Sequence, residues 1–279
     1  MSAENENGLE VAFHGEDGSY AQEVAFNFFG KSVKTRQCDT LEQVFKLVQD
    51  GILSHGIVPV ENSQEGSMGR TYDLLLESDV MVCGETHIRM TYSLVSNKSV
   101  NIGSIKKIYS HPHALAQCQA FLRHLGCELI PTYTTTAIVK MIKEKKMHDC
   151  AVITSESVAF AYDMQIVARE VEDNPRNSTR FFILAKQDSA PTCDDRTSIV
   201  ILLKHKPGTV YAAVKEFADR QINLTKVESR PTRRTPWEYN FYLDFEGHRK
   251  DKPVAEALAQ LKKDTVFLKV LGSYPKAKT

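Results

Sequence analysis

The stretch LEVAFHGEDGSYAQEVAFNFFG, residues 9–30, changes its hydrophobic period once along its length. It opens as a short apolar strand and turns at Gly15 and Gly18. Val24, Ala25 and Phe28 then recur at helix spacing until Gly30 ends the element. TLEQVFKLVQDG, residues 40–51, is a second amphipathic helix, with Thr40 as cap, Leu41, Val44, Phe45 and Val48 as the stripe, and Gly51 as the stop. HGIVPVENS, residues 55–63, follows as a buried strand with a polar end. Strands alternating with helices predict an α/β layer whose sheet is largely parallel.

The same alternation continues. YSHPHALAQCQAFLRHLGCELI, residues 109–130, predicts one helix, capped at Ser110 or His111, with Leu115, Cys118, Leu122 and Leu125 on its apolar face and Gly126 at its end. A helix at TTTAIVKMIKEKK (134–146), a strand at HDCAVITS (148–155) and a short helix at ESVAFAYDM (156–164) come next. DNPRNSTRFFILAK, residues 173–186, is a strand with a hydroxyl and a guanidinium at its mouth. KQDSAPTCDDR, residues 186–196, turns polar around a proline and is the expected linker. Beyond it, TSIVILL, PGTVYAAVKEFADRQ, INLTKVESRP, WEYNFYLDFEG, PVAEALAQLKK and DTVFLKVLGSYP read as βαββαβ, the split βαβ, ferredoxin-like unit.

Composition narrows the function. Of 279 residues, 42% are apolar and 25% charged, an ordinary balance for a water-soluble globular chain. Lys plus Arg equals Asp plus Glu at 35 each, so no net field draws the chain to nucleic acid or to an anionic membrane. The six cysteines contain no C-x-x-C and read as reduced, buried small residues. MSAENENGLE lacks a basic and an apolar region, and no apolar run reaches the ~18 residues of a membrane helix, so the expected compartment is the cytoplasm.

Several chemistries fail on residue pattern. His111-x-His113 has no further ligand at metal spacing. No G-x-S-x-G elbow exposes a serine, and Gly15-x-x-Gly18 lacks the G-K-[ST] of a phosphate loop, although backbone N–H groups at that helix start can still hold a carboxylate. What remains is a set of polar strand ends and helix starts: Glu61-Asn62-Ser63, Gly66 with Thr71, Ser110 with Gln117, Thr134-Thr135-Thr136, and Asn177-Ser178-Thr179-Arg180. Each alone reads as an ordinary cap or turn. Together they mark where an open α/β sheet places its ligand, outside the carboxyl ends of its strands. Such a site suits an anionic substrate that needs orientation and one proton for a leaving group.

At these residues the chain resembles the prephenate and arogenate dehydratases. GIVPVENSQEGSMGRTYDLL (56–75), YSHPHALAQC (109–118) and NSTRF (177–181) look like three motifs of that family in its order, and GTVY (208–211) and NLTKVESRP (223–231) look like the two motifs of its regulatory ACT domain. The resemblance implies a catalytic domain over residues 1–190, two-lobed like a type II periplasmic binding protein, with lobes at 9–85 plus 174–186 and at 86–173. An ACT domain follows over 191–279. It implies a carbon–oxygen lyase that needs no cofactor or metal. The reaction is decarboxylation and dehydration of prephenate to phenylpyruvate in phenylalanine biosynthesis, with arogenate as the alternative substrate. A non-catalytic amino-acid sensor is the remote alternative.

The resemblance assigns reaction and orientation to Thr179, Asn62, Ser110 and Gln117. Substrate contact falls to Ser63, Thr71, Thr135, Arg180 and Phe181, with Arg180 expected to offer its fork to the side-chain carboxylate. The ACT motifs imply L-phenylalanine as feedback effector, held near Gly208, Thr209, Val210, Asn223, Leu224, Glu228, Ser229 and Arg230, and pairing into a homodimer or a dimer of dimers. Two departures from the family pattern stand out: Ala21 where a hydroxyl is usual, and His113 where glutamine is common.

Overall fold

The computed structural model describes residues 9–132 and 135–277, so Thr134 of the threonine run lies outside the described residues. The first lobe contains β1 (Glu10–His14), α1 (Tyr20–Phe29), β2 (Lys34–Cys38), α2 (Leu41–Gln49), β3 (His55–Asn62), β4 (Gly66–Ser67), α3 (Gly69–Glu77) and β5 (Met81–Arg89). The second contains β6 (Ser93–Ser96), β7 (Lys107–Ser110), α4 (Pro112–Gln117), α5 (Gln119–Leu125), β8 (Glu128–Pro131), α6 (Thr135–Glu144), β9 (Cys150–Thr154), α7 (Glu156–Ala161) and β10 (Gln165–Ala168). The chain then returns as β11 (Ser178–Ala185) to the first sheet.

The two lobes share one plan. Strand order is β2-β1-β3-β11-β5 in the first and, read from its far edge, β8-β7-β9-β6-β10 in the second. In each, three parallel strands are joined to an antiparallel pair that includes the strand arriving from the other lobe. This is the two-lobed α/β architecture expected from the sequence. The strand β5 runs through residue 85, where the sequence suggested a lobe boundary, and pairs with β11 as far as Arg89. We therefore place the crossing at residues 90–92.

The long helix expected over residues 111–125 is two helices. At Cys118 the backbone leaves the helical region (φ −121°, ψ 24°). The cause is Asp173: its N–H donates to the Gln117 carbonyl at 2.7 Å, and its carboxylate accepts from the Ala120 N–H at 3.0 Å. Two groups that a continuous helix would use internally are taken up by another segment. Gln117 thus stands at the end of a helix.

The C-terminal unit follows as β12 (Asp195–Leu202), α8 (Thr209–Ala218), β13 (Leu224–Pro231), β14 (Tyr239–Glu246), α9 (Lys252–Asp264) and β15 (Phe267–Pro275), with strand order β13-β14-β12-β15. One face of its sheet packs under α8 and α9 through Ile199, Ile201, Leu243 and Phe245. The other face closes the back of the first lobe, where Val200, Tyr242, Leu271 and Tyr274 share a core with Val82, Phe182 and Leu184. Contact is close enough that a Cβ at Gly272 would lie 2.1 Å from the Val82 carbonyl oxygen. Lys269 also reaches across, its ammonium donating to the carbonyls of Leu75 and Leu76 at 2.9 and 3.0 Å at the end of α3.

Arg180 ties these layers together. Its Nε donates to Glu85 Oε2 at 2.7 Å, Nη1 to Asp244 Oδ2 at 2.6 Å and Nη2 to the Tyr274 hydroxyl at 3.0 Å. Arg196 adds Nη1 contacts to both Glu85 oxygens at 2.8 and 2.9 Å. Burial opposes the Arg180 charge, but Tyr274, Asp244 and Glu85 outweigh it and hold the guanidinium above its ordinary value. Removing one partner of such a buried set strands the others. Arg180→Met should cost about 3–5 kcal/mol in urea unfolding. The double variant R180M/D244N should recover part of that loss, because it removes the stranded carboxylate. A loss in R180M no larger than that of a surface substitution would contradict this account.

Candidate active site

The two lobes meet around a cavity of about 510 Å³, lined by His14, Ser19 and Tyr20 from the first and by Ser110, His111 and Thr135 from the second. An adjoining chamber of about 490 Å³ is lined by Asn62, Glu65, Gln117 and Thr179. Met90, Tyr92, His111 and His113 line both, so the two form one cleft. The starts of α1 and α6 face the first chamber, and helix N-termini favour anions. Among the described residues lining either chamber there is no lysine or arginine.

Thr179 and Asn62 are paired across β11 and β3 and are 2% and 5% exposed. Asn62 Oδ1 accepts from the backbone N–H groups of Gln64 and Glu65 at 3.0 and 3.1 Å. A backbone N–H can only donate, so the amide orientation is fixed by chemistry. Nδ2 must then face inward, where it donates to Asn177 Oδ1 and Thr179 Oγ1, both at 2.9 Å. The threonine oxygen therefore accepts, and its proton is left to point into the cleft.

Gln117, Asn177 and Ser63 complete this corner. Asn177 Nδ2 donates to Gln117 Oε1 at 2.6 Å, and Gln117 Nε2 donates to Glu65 Oε1 at 2.7 Å. The other Glu65 oxygen contacts His113 Nδ1. Ser63 Oγ accepts from the Ser178 N–H at 3.0 Å and so anchors the entry to β11. Ser110 opens on the first chamber, but its hydroxyl donates to the Ile153 carbonyl at 2.6 Å. It can offer the cleft an acceptor only. Thr135 lines the same chamber at the start of α6.

Three residues expected to touch substrate lie elsewhere. Successive side chains on a strand alternate faces; with Thr179 toward the cleft, Arg180 points away from it, into the buried ion cluster with Asp244. The expectation that its fork holds a substrate carboxylate is corrected accordingly. Phe181 is 3% exposed and packs in the core with Val24 and Ala25 of α1. Thr71 is fully buried, and its hydroxyl donates to the Pro59 carbonyl at 2.7 Å, fixing α3 to β3.

Burial shifts several titratable groups of the cleft toward their neutral forms. Burial, and then the neighbouring His113, hold His111 below the ordinary imidazole value despite Glu65. Burial pushes the phenols of Tyr20 and Tyr92 up, leaving them as neutral groups. Glu65, Asn177 and His113 were not assigned from sequence. Asn177 sat inside a motif without a task, and Glu65 sat in a turn where a carboxylate is unremarkable.

In the C-terminal unit, Gly208 takes the left-handed conformation (φ 84°) as the cap of α8. Thr209 and Val210 line a cavity of about 600 Å³ with Trp237 and Tyr239. Asn223 and Leu224 stand at the start of β13, and Ser229 is exposed on that strand. Glu228 accepts from the Ser67 hydroxyl, and Arg230 contacts Asp73 at 3.4 Å. Within one chain these two face the first lobe and are not brought to residues 208–210.

The family model described as prephenate dehydratase matches residues 11–189, and the ACT domain model matches residues 197–263. A bifunctional chorismate mutase/prephenate dehydratase from Aquifex aeolicus is 40% identical over 274 residues, covering 98% of this chain and 75% of that protein. An Arabidopsis thaliana arogenate dehydratase/prephenate dehydratase is 36% identical, covering 98% and 74%. Among solved structures, the Arthrobacter aurescens prephenate dehydratase in complex with L-Phe has a TM-score of 0.87 at 27% identity, over 96% of this chain and 90% of that one. A protein described as a novel type of quorum quenching acylase also scores 0.87, at 26% identity, over 96% and 98%.

The lobes approach closely at Gly18. A Cβ at Gly18 (φ +82°) would lie 2.9 Å from the Val158 N and Cα atoms of α7. Ser155 Oγ donates to the Gly18 carbonyl at 3.1 Å in the same place. Gly18→Ala should therefore destabilise the protein by about 1–3 kcal/mol, through backbone strain and through wedging the lobes apart. A Gly18→Ala urea midpoint equal to the parent's would contradict the contact.

Proposed function

The chain belongs to the prephenate dehydratase family and carries an ACT domain, so it is a lyase that forms phenylpyruvate from prephenate, and we propose that Thr179, set by Asn62, assists the loss of water. The observation that carries this role is the Thr179 hydroxyl at the wall of the cleft: its oxygen is engaged by Asn62 Nδ2 at 2.9 Å, and among the described residues no acceptor takes its proton. In the reaction the C–C bond to the ring carboxylate breaks and its electron pair enters the ring. The carboxylate leaves as CO2, and the ring C–O bond breaks with its pair on the hydroxyl oxygen, which leaves as water on taking up one proton, passed through the Thr179 hydroxyl and replaced from solvent. A hydrogen bond from Thr179 to that oxygen acts where charge develops, which is where binding energy lowers the barrier.

A cleft without a fixed cation suits the first half of the reaction. A guanidinium on the ring carboxylate would stabilise the ground state, from which charge must leave. The lining instead offers Gln117 Nε2, the starts of α1 and α6, and the His111 imidazole, held below its ordinary value by burial. Ser110, Thr135 and Ser63 are the hydroxyls we assign to substrate orientation, with Ser63 acting through β11. Arogenate carries an ammonium in place of the keto oxygen; an ammonium only donates, and the acceptors that the cleft offers it are the Glu65 carboxylate and the Ser110 hydroxyl oxygen.

Asn62→Asp tests the assignment. It replaces the one side-chain donor by an acceptor, so Thr179 must turn its proton back onto residue 62. Turnover of prephenate to phenylpyruvate should fall about 10²–10⁴-fold with the fold retained. Parental turnover in this variant would sink the role given to Thr179. Running the parent on prephenate and on arogenate in parallel identifies the preferred substrate.

We assign the Gly208–Val210 end of α8 to an amino-acid effector, L-phenylalanine by the likeness to the Arthrobacter aurescens complex. Tyr211 and Val227, 71% and 53% exposed on α8 and on the edge strand β13, are assigned to pairing with a second copy. Coupling to the cleft runs through adjacent residues. Lys226 of β13 contacts Glu61 at 2.8 Å, next to Asn62, and Asp244 of β14 contacts Arg180, next to Thr179. L-phenylalanine should lower turnover, and Lys226→Met should weaken that effect, within the ~5–150-fold span of ordinary allosteric coupling. A monomer in sedimentation, or turnover indifferent to L-phenylalanine, would remove this part of the reading.

A further inference from the structure

Glu65 lies in the turn after β3, outside every role assigned so far, yet it touches the donor cluster twice. Its backbone N–H donates to Asn62 Oδ1 at 3.1 Å, and its Oε1 accepts from Gln117 Nε2 at 2.7 Å. Between those contacts Asn62 Nδ2 donates to Asn177 Oδ1 at 2.9 Å, and Asn177 Nδ2 donates to Gln117 Oε1 at 2.6 Å. The hydrogen bonds form a closed ring: Glu65 to Asn62 to Asn177 to Gln117 and back to Glu65. Every amide in it donates once and accepts once in the same sense.

An amide alone can turn over and exchange its donor for its acceptor, so a ring of amides could run either way. Glu65 removes that choice at both of its contacts, because its N–H can only donate and its carboxylate can only accept. From this geometry we propose that Glu65 is a positioning residue for the dehydration: the backbone N–H groups of Gln64 and Glu65 set the Asn62 end of the ring, and the Glu65 carboxylate holds the Gln117 end, aiming the second N–H of Gln117 Nε2 into the cleft beside Thr179. The ring also crosses between lobes, since Glu65, Asn62 and Thr179 belong to the first and Gln117 to the second. Gln117 is thus held in this orientation by residues from outside its own lobe. His113, on the same helix as Gln117, contacts the other Glu65 oxygen and adds a second link between the lobes.

The inference rests on Thr179 as the donor, so the test separates the two. Steady-state turnover of prephenate is measured for the parent, T179A, E65A, E65Q and E65D. E65A should lower kcat about 10²-fold, the scale for small misplacement of reacting groups, with a smaller change in KM. E65Q should recover most of the loss, because its side-chain oxygen reaches Gln117 and can accept. E65D keeps the charge but is one methylene short, and should stay near E65A. Unfolding midpoints of all three should match the parent's, since the Glu65 side chain is 35% exposed.

Parental kcat in E65A, beside an inactive T179A, would overturn the proposal and leave the Thr179 assignment standing. E65D faster than E65Q would show that charge, and not the acceptor placed on Gln117, is what counts, and would overturn it equally. Parental kcat in T179A would remove the Thr179 assignment itself, and the ring's purpose with it.

Discussion

A guanidinium taken out of water must find its charge and its donors answered, and Arg180 finds both only between two parts of the chain. Its partners Glu85 and Asp244 are themselves 1% and 2% exposed at the side chain, one on β5 of the first lobe and the other on β14 of the C-terminal unit. None of the three could be buried alone without a penalty of several kcal/mol. The catalytic sheet and the C-terminal sheet are therefore each incomplete without the other. The apolar contact around the cluster, with Phe182 against Tyr274 at 5.5 Å between ring centroids, seals it from water.

That constraint reaches the cleft through the geometry of extended chain. On β11, Arg180 and Thr179 are neighbours with side chains on opposite faces; on β3, Glu61 and Asn62 are arranged in the same way. One residue of each pair is committed to the C-terminal unit and the other to the donor corner. The register of the two strands, Thr179 opposite Asn62 and Arg180 opposite Glu61, is fixed on both faces at once. The cleft itself carries no fixed cation among its described lining residues. Its donors are amides, hydroxyls and helix ends, whose directions are fixed by obligatory partners and need no reorganisation when charge moves.

Much of this was legible along the chain because it depends on local period. The alternation of strands and helices, the capped α2, the polar mouth of β11 and the βαββαβ order of the C-terminal unit follow from hydrophobic spacing and turn residues. The motifs around Asn62, Ser110, Gln117 and Thr179 marked a site by their place at strand ends and helix starts. Elements whose cause lies at a distance were not legible. The break at Cys118 is made by Asp173, and the fate of Arg180 is decided by Asp244, 64 residues away.

The sequence by itself determined the α/β alternation, the βαββαβ order of the C-terminal unit, the family, and which residues can donate or accept, because those are properties of composition and spacing. It left open which face each side chain would take and who its partner would be. Only the tertiary structure turned Arg180 from a substrate anchor into the bolt between domains, buried Thr71 and Phe181, and joined Glu65, Gln117 and Asn177 in one ring. The physical reason is that a polar group is defined by the partner that satisfies it when water is excluded. Here those partners arrive from strands and helices far apart in the chain.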